Sequence, residues 1–321
     1  MSTFADRLTA AIADAGYGAD EPVITGVHRQ GRTPVFVAQG LSGAGQRVSP
    51  VTLAYAASLS KQITAACAAI LVREANLDMD TTLKSWLPEL PAWAHTIRLR
   101  NLLYHTAALP DDEVDSTLGS TADRTTPAVL AALSQIPVLT SRPGTTYTYS
   151  NAGYICLAAV VERAAGESLD AFAESRIFAP LGMSSTCYWP GPAPAPPGAT
   201  PLGAPHPAPL SLGDGGVWST AQDLLRWAQA LNVDELGISR LMETPGSLDD
   251  GTPVDYAWGM GIRSHGGYRV YRHGGGWPSL RALLARVPEL NVSLVVMALA
   301  DDSERRVDLA ATMLDLVTGP V

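Results

Sequence analysis

Ser58 and Lys61 stand three residues apart in the stretch Ala56-Ala57-Ser58-Leu59-Ser60-Lys61. The apolar residues that follow, Ile63, Ala66, Cys67, Ile70 and Leu71, recur at helical spacing and continue to Leu77. The stretch therefore reads as the end of a strand or loop running into a helix. Residues three apart on a helix share a face, which sets the serine beside the lysine. A serine hydroxyl is a weak nucleophile until a neighbour takes its proton. Lysine can take it when burial or other positive charge lowers its pKa, and arginine cannot. The helix N-terminus adds a dipole that favours a developing alkoxide. The chain has 20 arginines but only two lysines, Lys61 and Lys84, so a lysine here is a marked choice. Taken alone, the same four residues also fit a serine cap followed by a surface lysine one turn later.

Two further stretches carry chemistry. In Tyr149-Ser150-Asn151 the tyrosine and asparagine are two apart in an extended segment after the Pro143-Gly144 turn, so both point the same way. His273-Gly274-Gly275-Gly276 joins a histidine to three residues without side chains, which let a strand edge come close to a ligand. Each has a plainer reading: a packed tyrosine, a surface histidine, a tight turn. His105 reads as a structural residue capping a helix beside Thr106, and Asp214 as a turn aspartate beside Gly215-Gly216. For Trp218, Trp277, Tyr188 and Trp189, burial is the first expectation.

The elements that must position these residues follow from periodicity and punctuation. A short amphipathic helix is expected within 1–17, and a hairpin at 23–28 and 35–39 around Gln30-Gly31-Arg32. After the Ser58 helix come a helical stretch with Pro breaks over 78–106, an acidic solvated loop at 111–115, and helices at 126–133, 152–165, 167–184 and 220–231. Residues 190–213, rich in Pro, Ala and Gly, are expected as a loop lying over the surface. Strands at 256–263, 268–273, 280–287 and 292–299 lead to a last helix at 307–317, capped by Asp301-Asp302-Ser303. This order predicts an α/β protein. Its discontinuous sheet domain takes residues 1–57 and 252–321, and a mainly helical domain, 58–251, is inserted with the site in the cleft between them.

In this chain order, Ser58-x-x-Lys61, Tyr149-x-Asn151 and His273-x-Gly275 resemble the motifs of the penicillin-recognising serine hydrolases. The nearest branch holds class C β-lactamases, D-aminopeptidases, DD-carboxypeptidases and family VIII esterases. Leu102-Leu103-Tyr104-His105-Thr106, Pro180-Leu181-Gly182-Met183, Gly215-Gly216-Val217-Trp218-Ser219-Thr220 and Trp258-Gly259-Met260-Gly261 are similar to its recurring segments, from about Val23 onward. The resemblance implies a β-lactamase/transpeptidase-like fold, an antiparallel sheet flanked by helices, and an acyl-enzyme at Ser58. Lys61 and Tyr149 would share the serine proton, and Tyr149 would pass it to the leaving group. Backbone N–H groups of Ser58 and Gly276 would form the oxyanion hole, with Gly275 letting the strand approach. His273 would donate a hydrogen bond to the phenol or substrate, and Asn151 would hold Lys61 or a substrate amide. No metal or organic cofactor is implied.

His273 and Gly274 stand where many β-lactamases carry lysine and a hydroxyl residue, and Ser279 where a glycine is expected. The expectation is therefore a serine hydrolase of esters or amides, including D-amino-acid derivatives, that is not an efficient β-lactamase. Arg281 is the residue that could compensate by turning inward. A biosynthetic acyltransferase with the same acyl-enzyme is the alternative, and a catalytically inactive binding homologue is the alternative of another class.

The bulk numbers bound the partners. With 321 residues, 46% hydrophobic and 17% charged, the chain can bury an ample core. A net charge of −9 argues against nucleic acid as a partner. Neither a signal peptide nor a membrane span is expected, and three cysteines, Cys67, Cys156 and Cys187, without close pairing suit a reducing cytosol. A cytoplasmic enzyme with a small-molecule substrate is expected, its oligomeric state left open.

Overall fold

A computed structural model describes residues 2–119, 124–190, 195–201, 211–301 and 303–319. Six strands form its main sheet: β1 (Val23–Arg29), β2 (Val35–Gln39), β3 (Gly261–His265), β4 (Tyr268–Trp277), β5 (Leu280–Val287) and β6 (Val292–Ala298). Their order across the sheet is β2-β1-β6-β5-β4-β3, every pairing antiparallel. The helices that concern the site and its support are α1 (Phe4–Asp14), α2 (Ser60–Arg73), α3 (Asp111–Leu118), α4 (Asn151–Ala165), α5 (Ala221–Asn232) and α6 (Arg305–Thr318).

Both faces of the sheet are covered, which explains the unbroken burial of β6, Val-Ser-Leu-Val-Val-Met-Ala. On β5, Leu283, Ala285 and Val287 point to one face and join a core with Leu8 and Ile12 of α1 and Leu309 and Met313 of α6. Ala282 and Leu284 alternate to the other face and join the larger core. Helix α5 packs there against β1, β5 and β6. Helix α2 is buried from Ser60 to Leu71, and its small residues Ala65, Ala66, Ala68 and Ala69 let α4 lie close against it.

Several elements differ from the sequence-based expectation. The acidic run at 111–115 opens helix α3, because Asp111 turns inward to the start of α4. The strand expected at 256–263 begins only at Gly261. Before it, Gly259 adopts φ 73° in a turn pressed onto α2, where a Cβ would sit 2.7 Å from Lys61 O. Strand β4 runs on past His273 through all three glycines to Trp277. The stretch 167–184 is broken into Leu169–Ala173, a π turn Glu174–Phe178 and Ala179–Leu181. At α6, Ser303 Oγ accepts from Arg305 N–H, while Asp302 lies outside the described residues. Of the loop read at 190–213, residues 191–194 and 202–210 also lie outside them. Among the described residues no helix is long and apolar enough to cross a membrane.

Candidate active site

Ser58 sits in a single 3-10 turn, Ala57–Leu59, between the short strand Ala54–Tyr55 and α2. Ala57 adopts φ 48°, and Ser60 locks the turn: its hydroxyl donates to Ala57 O at 2.6 Å and accepts from Val217 N–H at 3.0 Å. Ser60 is fully buried by this role, whereas Ser58 is only half-buried.

Lys61 is fully buried, and its Nζ has three oxygen neighbours. They are Asn151 Oδ1 at 2.7 Å, Asp214 O at 2.9 Å and Ser58 Oγ at 3.3 Å. An amide oxygen and a peptide carbonyl can only accept, so they take two of the N–H groups. The third direction on the nitrogen faces the Ser58 hydroxyl. Asp214 thus enters the site through its main chain, which no sequence pattern signals. Its carboxyl accepts from Ser211 Oγ at 3.2 Å, and burial raises its pKa, with Lys61 acting against that rise.

Asn151 is placed by α4, whose first turn is tied to Asp111. That carboxylate accepts from Ser150 Oγ at 2.6 Å and from the N–H groups of Asn151 at 2.5 Å and Ala152 at 3.4 Å. Ser150 caps the helix, its Oγ accepting from Gly153 N–H at 2.9 Å. Ser150 is therefore engaged in structure, like Ser60. Of the two roles expected for Asn151, the oxygen takes the first by holding Lys61.

The ring of Tyr149 lies 4.8 Å from Lys61 Nζ, and its hydroxyl makes no hydrogen bond among the described residues. Tyr149 stacks on His105 at 4.4 Å between ring centres. His105 is not a helix cap of the expected kind. It lies beyond the helix Leu99–Leu103 with φ 57°, and its Nδ1 accepts from Ser150 N–H at 3.1 Å. Its proton is then on Nε2, which is buried among the rings of Tyr149, Tyr154 and Tyr256 with no hydrogen-bond partner among the described residues. Burial, then the charge of Lys61, pushes the His105 pKa well below the ordinary histidine value.

His273 is buried beside this cluster, its ring 6.1 Å from Tyr149 and 6.0 Å from Tyr256. Its Nδ1–H donates to Gly274 O at 2.6 Å, because a carbonyl can only accept. Burial, followed by Lys61, pushes its pKa down to about 3. The neutral ring then offers Nε2 as an acceptor, so the donor role expected for His273 is reversed.

Strand β3 pairs with β4 only as far as Arg272, so the edge of β4 from His273 to Trp277 is open beside Ser58. Gly275 carries the close approach. A Cβ there would overlap the Ala56 carbonyl oxygen, in the segment that leads into the Ser58 turn. At Gly276 a Cβ would meet only Arg281 Nη1, at 3.9 Å. Arg281 Nη1 donates to Trp277 O at 2.7 Å and Leu280 O at 2.8 Å. A cavity of about 730 Å³ opens past Tyr149 and His273, walled by Tyr147, Tyr256 and the β4 edge. A second cavity of about 150 Å³ lies beside Asn151, Asp214 and Trp277.

A family model described as Beta-lactamase matches residues 23–318. Penicillin-binding protein 4* of Bacillus subtilis (strain 168) is 30% identical over 281 residues, covering 75% of this chain and 59% of that protein. The D-aminopeptidase of Brucella canis (strain ATCC 23365 / NCTC 10854 / RM-666) is 31% identical over 166 residues, 48% of this chain and 32% of that protein. The chain thus spans less than two thirds of the length of the first relative and about a third of the second. The crystal structure of D-amino acid amidase from Ochrobactrum anthropi SV3 shares the fold, with a TM-score of 0.80 at 20% identity, over 98% of this chain and 100% of that one.

Proposed function

The chain belongs to the beta-lactamase family, and from that premise we propose that it is a serine hydrolase acting on an ester or amide through a Ser58 acyl-enzyme. The observation that carries this reading is the buried Lys61 nitrogen, held by two obligate acceptors and aimed by its third direction at Ser58 Oγ, 3.3 Å away. Ser58 Oγ bonds to the acyl carbon while its proton passes to Lys61. The bond from that carbon to the leaving oxygen or nitrogen then breaks, and Tyr149 delivers the proton that the leaving group needs. The main-chain N–H groups of Ser58 and Gly276 receive the oxyanion. In the second half a water takes the place of the leaving group, and the same residues return the proton to Ser58 Oγ. His273, neutral and presenting Nε2, accepts from the Tyr149 hydroxyl or from a substrate N–H. Gly275 keeps the strand against the Ser58 turn, and Asn151 fixes the lysine.

Reaction with a fluorophosphonate, followed by peptide mapping, tests the assignment. The adduct is expected on Ser58; an adduct on Ser60 or Ser150, or none, overturns it. Intact-mass spectrometry with a panel of activated esters then ranks acyl groups. The names of the D-aminopeptidase and the D-amino acid amidase make D-amino acid amides the first amides to include. Transfer to an alcohol or amine uses the same residues, and the roughly 730 Å³ cleft beside Tyr149 leaves room for such an acceptor. Product analysis with added alcohol separates transfer from hydrolysis.

A further inference from the structure

Tyr149 stands outside regular structure, in the extended segment that leads into α4. Its ring is 40% exposed, so packing alone does not fix it. A reacting group displaced by about 1 Å can cost about a hundredfold in rate, and a tyrosine that moves protons beside Lys61 needs a holder.

His105 supplies one from both sides of the tyrosine. Its main-chain carbonyl accepts from Thr148 N–H at 2.8 Å, and its Nδ1 accepts from Ser150 N–H at 3.1 Å. Thr148 and Ser150 are the two chain neighbours of Tyr149. Between these bonds the imidazole lies against the Tyr149 ring, 4.4 Å between centres and 32° between planes. The backbone of His105 is left-handed, φ 57°, a conformation that residues other than glycine and asparagine seldom adopt. The next residue braces that turn. Thr106 N–H donates to Asn101 O at 2.8 Å, and Asn101 Nδ2–H donates to Thr106 Oγ1 at 3.1 Å. Thr106 O in turn accepts from Gly144 N–H at 2.8 Å. Asn101 belongs to the helix Leu99–Leu103, so the turn is anchored on regular structure.

We infer that His105 is the positioning residue of Tyr149: it clamps the segment 148–150 and so keeps the Tyr149 ring 4.8 Å from Lys61 Nζ. Its part in the reaction rests on the acyl-enzyme reading. The Ser150 bond also lies one residue before Asn151, which holds Lys61, so the tyrosine and the lysine are referred to one side chain. Neutrality suits this task. An imidazolium would carry a proton on Nδ1 and could not accept from Ser150 N–H. Burial, then the charge of Lys61, disfavours that form.

Glycine and asparagine both tolerate the left-handed backbone, but only asparagine puts an acceptor oxygen in the place of Nδ1. On an ester that acylates Ser58, His105→Gly should lower kcat by about a hundredfold and change KM little. His105→Asn should recover about tenfold of that loss, the worth of one hydrogen bond. In the Tyr149→Phe background neither substitution should cost more, because His105 acts through the tyrosine. Near-native kcat in His105→Gly, equal losses in the two variants, a loss carried by KM, or one that persists without the tyrosine hydroxyl overturns the inference. Should His105→Gly fail to fold, the cycle is run with His105→Asn, which lacks only the stacked ring. A kcat loss that vanishes in the Tyr149→Phe background then supports the clamp, and one that persists, or no loss, overturns it. If no ester acylates Ser58, the acyl-enzyme reading fails, and the crystal structure of the variant decides the clamp by itself. A Tyr149 ring moved away from Lys61 supports it, and a ring that keeps its place overturns it.

Discussion

Lys61 has no unused direction, and that fixes what its replacement should do. Arginine would keep a positive charge but has no proton to give up and no lone pair to offer Ser58. Lys61→Arg is expected to lower kcat by about three orders of magnitude or more, as loss of an activating base commonly does. Tyr149→Phe should cost a similar factor, and the double variant little more than either, because the two act as a unit. Near-native turnover in either single variant, measured on an ester that acylates Ser58, would show the base to be misassigned. His273 yields a second expectation, in pH. Its folded pKa of about 3 lies below the unfolded 6.5, so between these values the unfolded chain binds a proton that the folded one refuses. Stability is therefore full above pH 6.5 and falls as pH drops, by up to about 1.4 kcal/mol per unit. Urea melts at pH 7 and 5 should show His273→Gln losing about 2 kcal/mol less than the parent over that step. Equal losses would mean that His273 is not held neutral. At this scale the closeness of Ser58 and Lys61 was legible from their spacing at a helix start, whereas Asn151, read in an extended segment with Tyr149, instead opens α4. The polarity of His273 was not legible, since it is set by the carbonyl of Gly274.

Between elements, the closest tolerance is where β4 meets the turn that carries Ser58. Gly275→Ala should drive the strand off the Ala56 carbonyl, and a displacement of about 1 Å at such a site can cost about a hundredfold in rate. Gly276→Ala, one residue on, finds its nearest neighbour at 3.9 Å and should cost far less. Comparing kcat for the two variants on one ester checks the geometry; equal losses would remove Gly275 from its spacing role. Asp111 makes the corresponding joint at α4. Asp111→Ala leaves the helix-cap hydroxyl and two N–H groups without their carboxylate, with an expected loss of about 1–2 kcal/mol in thermal or urea unfolding. An unchanged melt would show that water replaces the carboxylate at no cost. These joints explain what the sequence concealed. A run of acidic residues reads as solvated until one of them finds a helix terminus, and three glycines read as a break in a strand because glycine has little intrinsic strand preference. The turn at Gly259 hid for a related reason. The residues around it alternate like a strand, but their backbone is shaped to lie on α2.

Over the whole molecule, the antiparallel sheet flanked by helices is the one that the family resemblance implied, and β6 is buried along its whole length. The order of its strands was not readable, because strand partners are chosen by packing between distant segments. The pairing of widest sequence separation joins Val23 of β1 to Ala298 of β6, and nearly everything else in the chain lies between them. Closing so long a loop is costly and slow, whereas α2 and α4 meet through a much shorter one. In refolding followed by pulsed hydrogen exchange, amides of α2 and α4 should gain protection before those of β1 and β6. Protection of β1 and β6 first would contradict this order. The same pairing bears on biogenesis. On the ribosome, β1 emerges early and keeps an unpaired, apolar edge until residues 292–298 have been made. During that interval the nascent chain is open to pairing with its neighbours on a polysome, and holdase chaperones would act on that one strand.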